Sequence, residues 1–384
     1  MTRPGTASVV SALLALAACG KPPATAAPMA DALIITADSS YWVTSDGKGL
    51  RMRGEPILIT RFDGRFRELY VADDDRSFHD AVFVGQRMFV RDLVRGDSAL
   101  LFADSVVPRM SREYAAAHPR EAPIGRDEES SDKPVTNATA DIEILDVHPP
   151  FLSFEYHSDL ETDREHGGLE RHTARRGVLD LRTGKVVSLE ALFGREAAER
   201  AIAEAAAEWD TTRDSILARR GEGADEARRM LGAVAFDATS FSLDANEREP
   251  EVVFAVPSLT RRGATPPLEL TARSVAAPPW WGAQRDELPT GPDSARSWKH
   301  GGAELVARTG DDQDRAKLVL RDAAHREWPL GSVTSPVQRV IWLDASLSPV
   351  TRRALRKAFN ESSQNSEDTR IAHSRSRPVL RTSL

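Results

Sequence analysis

Histidine and carboxylate side chains crowd one stretch of this sequence. His148, His157, His166 and His172 alternate with Asp159, Glu161, Asp163, Glu165 and Glu170. Neutral imidazole and carboxylate are the usual oxygen and nitrogen ligands of zinc, so His157, His166 and His172 are the candidate metal ligands. The spacing argues the other way. No His-x3-His or His-Glu-x-x-His occurs, and an acidic, solvated loop accounts for the same composition. No cofactor is expected. Trp280, Trp281 and Trp298 stand in a proline-rich stretch and offer flat apolar faces on which the sugar rings of a glycan could stack. The favoured alternative is that they pin that stretch to a folded neighbour, since adjacent side chains of an extended chain point opposite ways. The sequence carries no Gly-x-Ser-x-Gly elbow, phosphate loop or dinucleotide fingerprint. A carboxylate pair for glycoside hydrolysis stays open, because such pairs are distant in sequence. No catalytic residue is assigned, and the balance lies against an enzyme.

The single cysteine, Cys19, ends an uncharged run from Val9 to Ala18, behind a short leader with one positive charge at Arg3. About ten apolar residues are too few to span a hydrocarbon core of about 30 Å, so the run reads as an export signal. Leu16-Ala17-Ala18-Cys19 resembles the bacterial lipobox. That resemblance implies cleavage between Ala18 and Cys19 and acylation of Cys19, which then holds the protein on a membrane. It also removes the only thiol from the list of nucleophiles. Residues 1–18 are then a lipoprotein signal peptide. Residues 19–31 contain three prolines in "GKPPATAAPMA" and form a flexible tether. The expected location is a bacterial membrane, facing the periplasm or exterior, with the outer membrane favoured where a cell has one.

The composition is 41% hydrophobic and 28% charged with a formal net charge of -7. It suits a folded chain and excludes a general nucleic-acid binder, whose phosphate contacts need a basic excess. A chain of this length buries enough apolar surface to dispense with disulfides.

The elements that must position any site read as α+β. Residues 32–110 hold short β-branched or aromatic runs between Gly, Asp and Ser turns, an antiparallel β-rich part with hairpin turns at Asp46-Gly47 and Asp63-Gly64. Asp73-Asp74-Asp75 reads as an acidic turn in preference to a calcium loop. Arg95-Gly96-Asp97 reads as a hairpin turn. Residues 111–140 begin as a short helix, then turn polar and acidic, and are taken as a linker. In 141–275 two strands lead to a Gly-Gly loop. A tight hairpin at Arg182-Thr183-Gly184-Lys185 follows, with Gly184 in the left-handed position. Ser188 is placed to cap a helix or helix pair whose Ile202, Trp209 and Ile216 face a sheet. Residues 276–300 form a Pro/Trp-rich connector, and 301–360 hold further strands and a short helix capped by Ser348-Pro349. Residues 361–384 read as a disordered tail.

The order of elements in 141–275 resembles the extracytoplasmic domain of the RsiV anti-sigma factor and the PdaC deacetylase. The matching positions are Phe151 to Tyr156, Gly167-Gly168, Asp180-Leu181, Thr183-Gly184-Lys185, Leu189, Leu192-Phe193 and Val256-Pro257-Ser258-Leu259. The resemblance implies a central antiparallel sheet packed with one or two helices, non-catalytic and facing outward, which in RsiV binds lysozyme. It makes the Gly167-Gly168 loop a candidate binding loop. The family's Gly-Gly-Ala-His is Gly167-Gly168-Leu169-Glu170 here, so a fold and a general binding role carry over, without a ligand. The expectation is an exported, membrane-anchored lipoprotein that binds or senses a protein or peptidoglycan ligand at the cell envelope. A cell-wall or polysaccharide hydrolase with dispersed carboxylates and a structural envelope component are the alternatives.

Overall fold

The computed structural model describes residues 31–360, apart from 45–49, 125–134, 163–169, 219–224, 245–249, 257–267, 282–286, 311–313, 344–346 and a few single or paired positions. The expectations for Ala18, Cys19, the tether, the Asp46-Gly47 turn, His166, Gly167, Gly168 and the C-terminal tail lie outside the described residues.

The described residues begin with β1 (Asp31–Thr36), β2 (Ser40–Val43), β3 (Leu50–Arg53), β4 (Leu58–Phe62), β5 (Arg65–Ser77), β6 (Ala81–Asp92), β7 (Ser98–Ala103) and α1 (Val106–Ala117). The middle holds β8 (Thr136–His148), β9 (Phe151–Thr162), β10 (Glu170–Asp180), β11 (Lys185–Val186), α2 (Leu189–Phe193), α3 (Arg195–Ala218), β12 (Phe241–Asp244), β13 (Glu251–Val256) and β14 (Leu268–Ala272). Then come β15 (Ala295–His300), β16 (Ala303–Thr309), β17 (Arg315–Arg321), β18 (Glu327–Thr334) and β19 (Val337–Leu343), and a helix over 349–360, α4. The fold is α+β and dominated by antiparallel sheet.

The first and last described strands are partners. β1 lies between β2 and β19 in a four-stranded sheet of order β19-β1-β2-β3. Ala32 to Thr36 are all buried, which explains an apolar run without alternation: this sheet is covered on both faces. Ile34, Tyr41 and Val43 pack against Trp298, Leu305 and Leu318 of the separate sheet β15-β16-β17-β18. Leu33, Ile35 and Trp42 face the other way, onto Ile57, Ile59, Phe66 and the Leu355 and Phe359 side chains of α4. The C-terminal strands thus both complete the N-terminal sheet and build a sheet of their own.

The largest sheet runs β11-β10-β9-β8-β6-β5-β4, with β7 also on β6. One of its faces carries α1 on a core of Phe78, Phe83, Met88, Leu152, Phe154 and Tyr156. The other contributes Phe151 and Val178 to a second core with α3 and the sheet β12-β13-β14. The interval 111–140 contains the end of α1 and the start of β8, and β8 pairs with β6 in parallel over Thr136 to Thr139, so the sheet is continuous across it. Asp73, Asp74 and Asp75 are not in a turn. They lie inside β5, where Gln86 donates to Asp73 and Arg87 pairs with Asp74 across the hairpin. Cross-strand partners hold in a strand the acidic run that local composition assigns to a turn.

Local signals that did appear in the sequence match the backbone. Asp63 and Gly64 have φ of 50° and 72°, as a tight hairpin turn requires, and Gly184 sits at 66°. Ser188 Oγ accepts from the Ala191 amide at 3.3 Å, and Ser348 Oγ accepts from that of Thr351 at 3.1 Å.

Candidate functional site

The turns of the largest sheet meet the terminal sheets around a cavity of ≈ 520 Å³. The β4–β5 turn brings Arg61, Phe62 and Asp63 to it, the β8–β9 turn brings Pro149 and Pro150, and the β10–β11 turn brings Arg182. Trp280, Glu287, His300 and Trp342 close the other side. Arg182 is held in place by Asp180, whose carboxylate takes the Arg182 amide at 2.8 Å and its Nε and Nη2 at 3.1 Å. Trp280 meets Phe151 edge-on at 4.7 Å, and His300 stacks on Trp342 at 5.6 Å. The cavity therefore combines indole surface with guanidinium and imidazole donors, and with the two carboxylates Asp63 and Glu287. Glu287 has the Arg339 guanidinium 3.9 Å away. The lining has the chemistry of a site for a small polar ligand with an apolar face, in which aromatic walls would fix its plane and a few polar groups its orientation.

The tryptophans singled out from the sequence divide. Trp298 is 1% exposed, and its indole N–H donates to the Glu287 carbonyl at 3.0 Å, so both ring faces are covered by the core. Trp281 is buried and stacks on His148 at 3.9 Å. Only Trp280 of the three reaches the cavity.

Among the described side chains, His148 and His157 have separate partners. His148 lies 3.2 Å from Asp146, and although burial raises the Asp146 carboxyl, the His148 and Arg339 charges outweigh it and hold that carboxyl below its ordinary range. His157 lies on β9, with its Nε2 2.5 Å from Glu155. The backbone of His172 lies on β10, opposite Asp159. Among the described residues no group of three or more His, Cys, Asp or Glu is placed to hold a metal.

A buried ionic layer links β9 and β10 to the β12-β13-β14 sheet. Glu155, 6% exposed, accepts from Arg176 Nε at 2.5 Å across the β9–β10 pair. Arg176 also donates to Glu269 on β14 at 2.6 Å, and its amide donates to Ser240 Oγ at 2.9 Å. Burial pushes Glu155 up, but the hydrogen bonds and charges of His157 and Arg176 outweigh it and bring its carboxyl down to about 2. Its partner His157 is raised by the Glu155 hydrogen bond against burial. This layer is a positioning device for the sheets and not a reactive centre, since every group in it is already engaged by an opposite charge.

Sequence reasoning missed Glu155, Arg176, Arg61, Asp63, Arg182, Glu287, His300 and Trp342. For the first two a signal existed: Glu155 interrupts the apolar run "FLSFEY", and a charge inside such a run is buried only when paired. For the cavity residues no local signal exists, because they come from five separate turns and strands.

No family model matches the sequence, and no curated protein matches it. Among solved structures, a member of the DUF3298 family from Bacteroides fragilis is similar over 56% of this chain and 92% of its own, with 10% sequence identity and a TM-score of 0.26. Among the described residues no helix is long and apolar enough to cross a membrane.

Proposed function

We propose that this protein is an exported lipoprotein, anchored through Cys19, that binds a short glycan or peptide of the cell envelope without transforming it. The observation that carries the binding role is the cavity, where Trp280 and Trp342 supply flat walls and Arg61, Arg182 and His300 supply donors. Peptidoglycan fragments offer both halves of the match, sugar rings for the indoles and carboxylates for the guanidiniums. Asp63 and Glu287 in the same cavity favour hydrolysis as the second reading.

The test is titration of the acyl-free protein with purified muropeptides, followed by tryptophan fluorescence, beside a pull-down with lysozyme. Trp280→Ala is expected to weaken muropeptide binding about tenfold or more, as loss of a central aromatic anchor does. Release of new reducing ends would favour the hydrolase. Absence of binding to muropeptides and lysozyme alike would overturn the binding role.

A further inference from the structure

We propose that the outer face of α4 docks on an anionic lipid surface. One side of the helix is committed to the fold: Leu355, Ala358 and Phe359 are buried, and Phe359 packs on Trp42 with ring centroids 5.8 Å apart. Arg353 and Lys357 stand exposed on the opposite side with Val350, and Arg352 and Arg356 stand exposed on the flank between the two sides. Residues 349–360 contain no acidic residue, in a chain whose formal net charge is -7. The basic face is therefore local and not an echo of the whole.

Its position is the second observation. Asp31, where β1 begins, receives the Trp42 indole N–H at 3.3 Å and lies 3.6 Å from Arg356 Nη2. The helix thus flanks the point where the segment 19–30 joins the fold. This placement rests on the reading of Cys19 as acylated. Twelve residues reach at most about 40 Å even when fully extended, so an acylated Cys19 would keep β1 and α4 near the bilayer. Asp31 offsets part of the Arg356 charge, and Arg352 and Arg353 supply the charge that meets the headgroups. Each basic residue near an anionic leaflet strengthens partitioning about fivefold.

The experiment uses the acyl-free chain from Gly20 to Leu384, which keeps every described residue, and sedimentation with vesicles of phosphatidylethanolamine and phosphatidylglycerol or of phosphatidylcholine alone. Binding to the phosphatidylglycerol vesicles that fades in about 0.5 M salt is expected, with none to phosphatidylcholine. Arg352→Glu with Arg353→Glu should lower that binding at least tenfold, and Arg352→Gln with Arg353→Gln should fall between. Charge reversal at Arg195 and Arg200 on the exposed side of α3 should leave it unchanged. Equal loss from both reversals, or no binding to phosphatidylglycerol vesicles, would overturn the proposal. Because the protein carries no lipid in this assay, its outcome is independent of whether Cys19 is acylated, which is read separately by fractionating cells that express Cys19→Ser.

Discussion

Replacing Glu155 with glutamine removes the negative charge from a layer that holds two sheets together, and the cost follows from the geometry. Glu155 accepts from Arg176 Nε at 2.5 Å and lies beside His157, while Arg176 keeps Glu269, which is half-exposed on β14. Removing one partner of a buried pair costs about 3–5 kcal/mol, and the surviving Glu269 contact places this case at the lower end, about 3 kcal/mol. The depression of the Glu155 carboxyl gives the same size. The Glu155 carboxyl falls from 4.5 to about 2, a shift that corresponds to about 3 kcal/mol. Because the folded value is depressed, this stability is present above pH 4.5 and is lost as pH falls from there toward about 2. His157 runs the other way: its folded value is raised, so its contribution is complete below 6.5 and is lost as pH rises through the folded value. The pair is at its strongest between those limits. Urea unfolding between pH 2.5 and 8 should show a steep loss below pH 4.5 in the parent and a flatter profile in Glu155→Gln. The double replacement Glu155→Leu with Arg176→Leu should recover most of the loss, since it removes both buried charges. A Glu155→Gln variant within 1 kcal/mol of the parent at pH 5.5, or one with an unchanged acid limb, would refute the reasoning.

Three further changes test other parts of the fold and its location. Asp104 caps α1 through the Val106 and Val107 amides at 2.7 and 3.1 Å and accepts the Tyr156 hydroxyl at 2.6 Å, so Asp104→Ala should cost about 2 kcal/mol or more in chemical denaturation. A Cβ at Gly177 would stand 2.7 Å from the Phe154 ring, so Gly177→Ala should destabilise by about 1–3 kcal/mol, read as a lowered Tm. Cys19→Ser should move the protein from the membrane fraction to the soluble fraction in cells, and retention on the membrane would remove the case for the lipid anchor.

How much of the molecule was legible depended on the range over which each signal acts. The hairpin at Asp180 to Lys185 and the Ser188 and Ser348 caps were readable because Gly184, Ser188 and Ser348 meet requirements set within four residues. The helix stripe was half readable. Trp209 is buried as its seven-residue recurrence implied, but Ile202 and Ile216 are only partly covered, and Ala198, Ala201 and Ala205 make the closest approach. Alanine gives a weak hydrophobic signal, yet it allows α3 to sit near the β14 backbone. The pairing of β1 with β19 was not readable, because nothing in "ALIIT" or "VQRVIWL" names a partner some 300 residues away. The ionic layer depends on the same hidden information: Glu155 and Arg176 become a pair only once β9 and β10 are in register.

That first-to-last pairing also constrains the order in which the molecule can be assembled. β1 and β2 are buried on both faces, yet the strand, the sheet and the helix that cover them are drawn mainly from residues beyond Ala295. A chain that emerges with its N-terminus leading therefore carries an unfinished, adhesive sheet until almost all of it is out. Contacts so distant in sequence close late and slowly. The terminal sheets can mature only after the central one, and truncation near residue 340 should leave the first two strands in need of a chaperone.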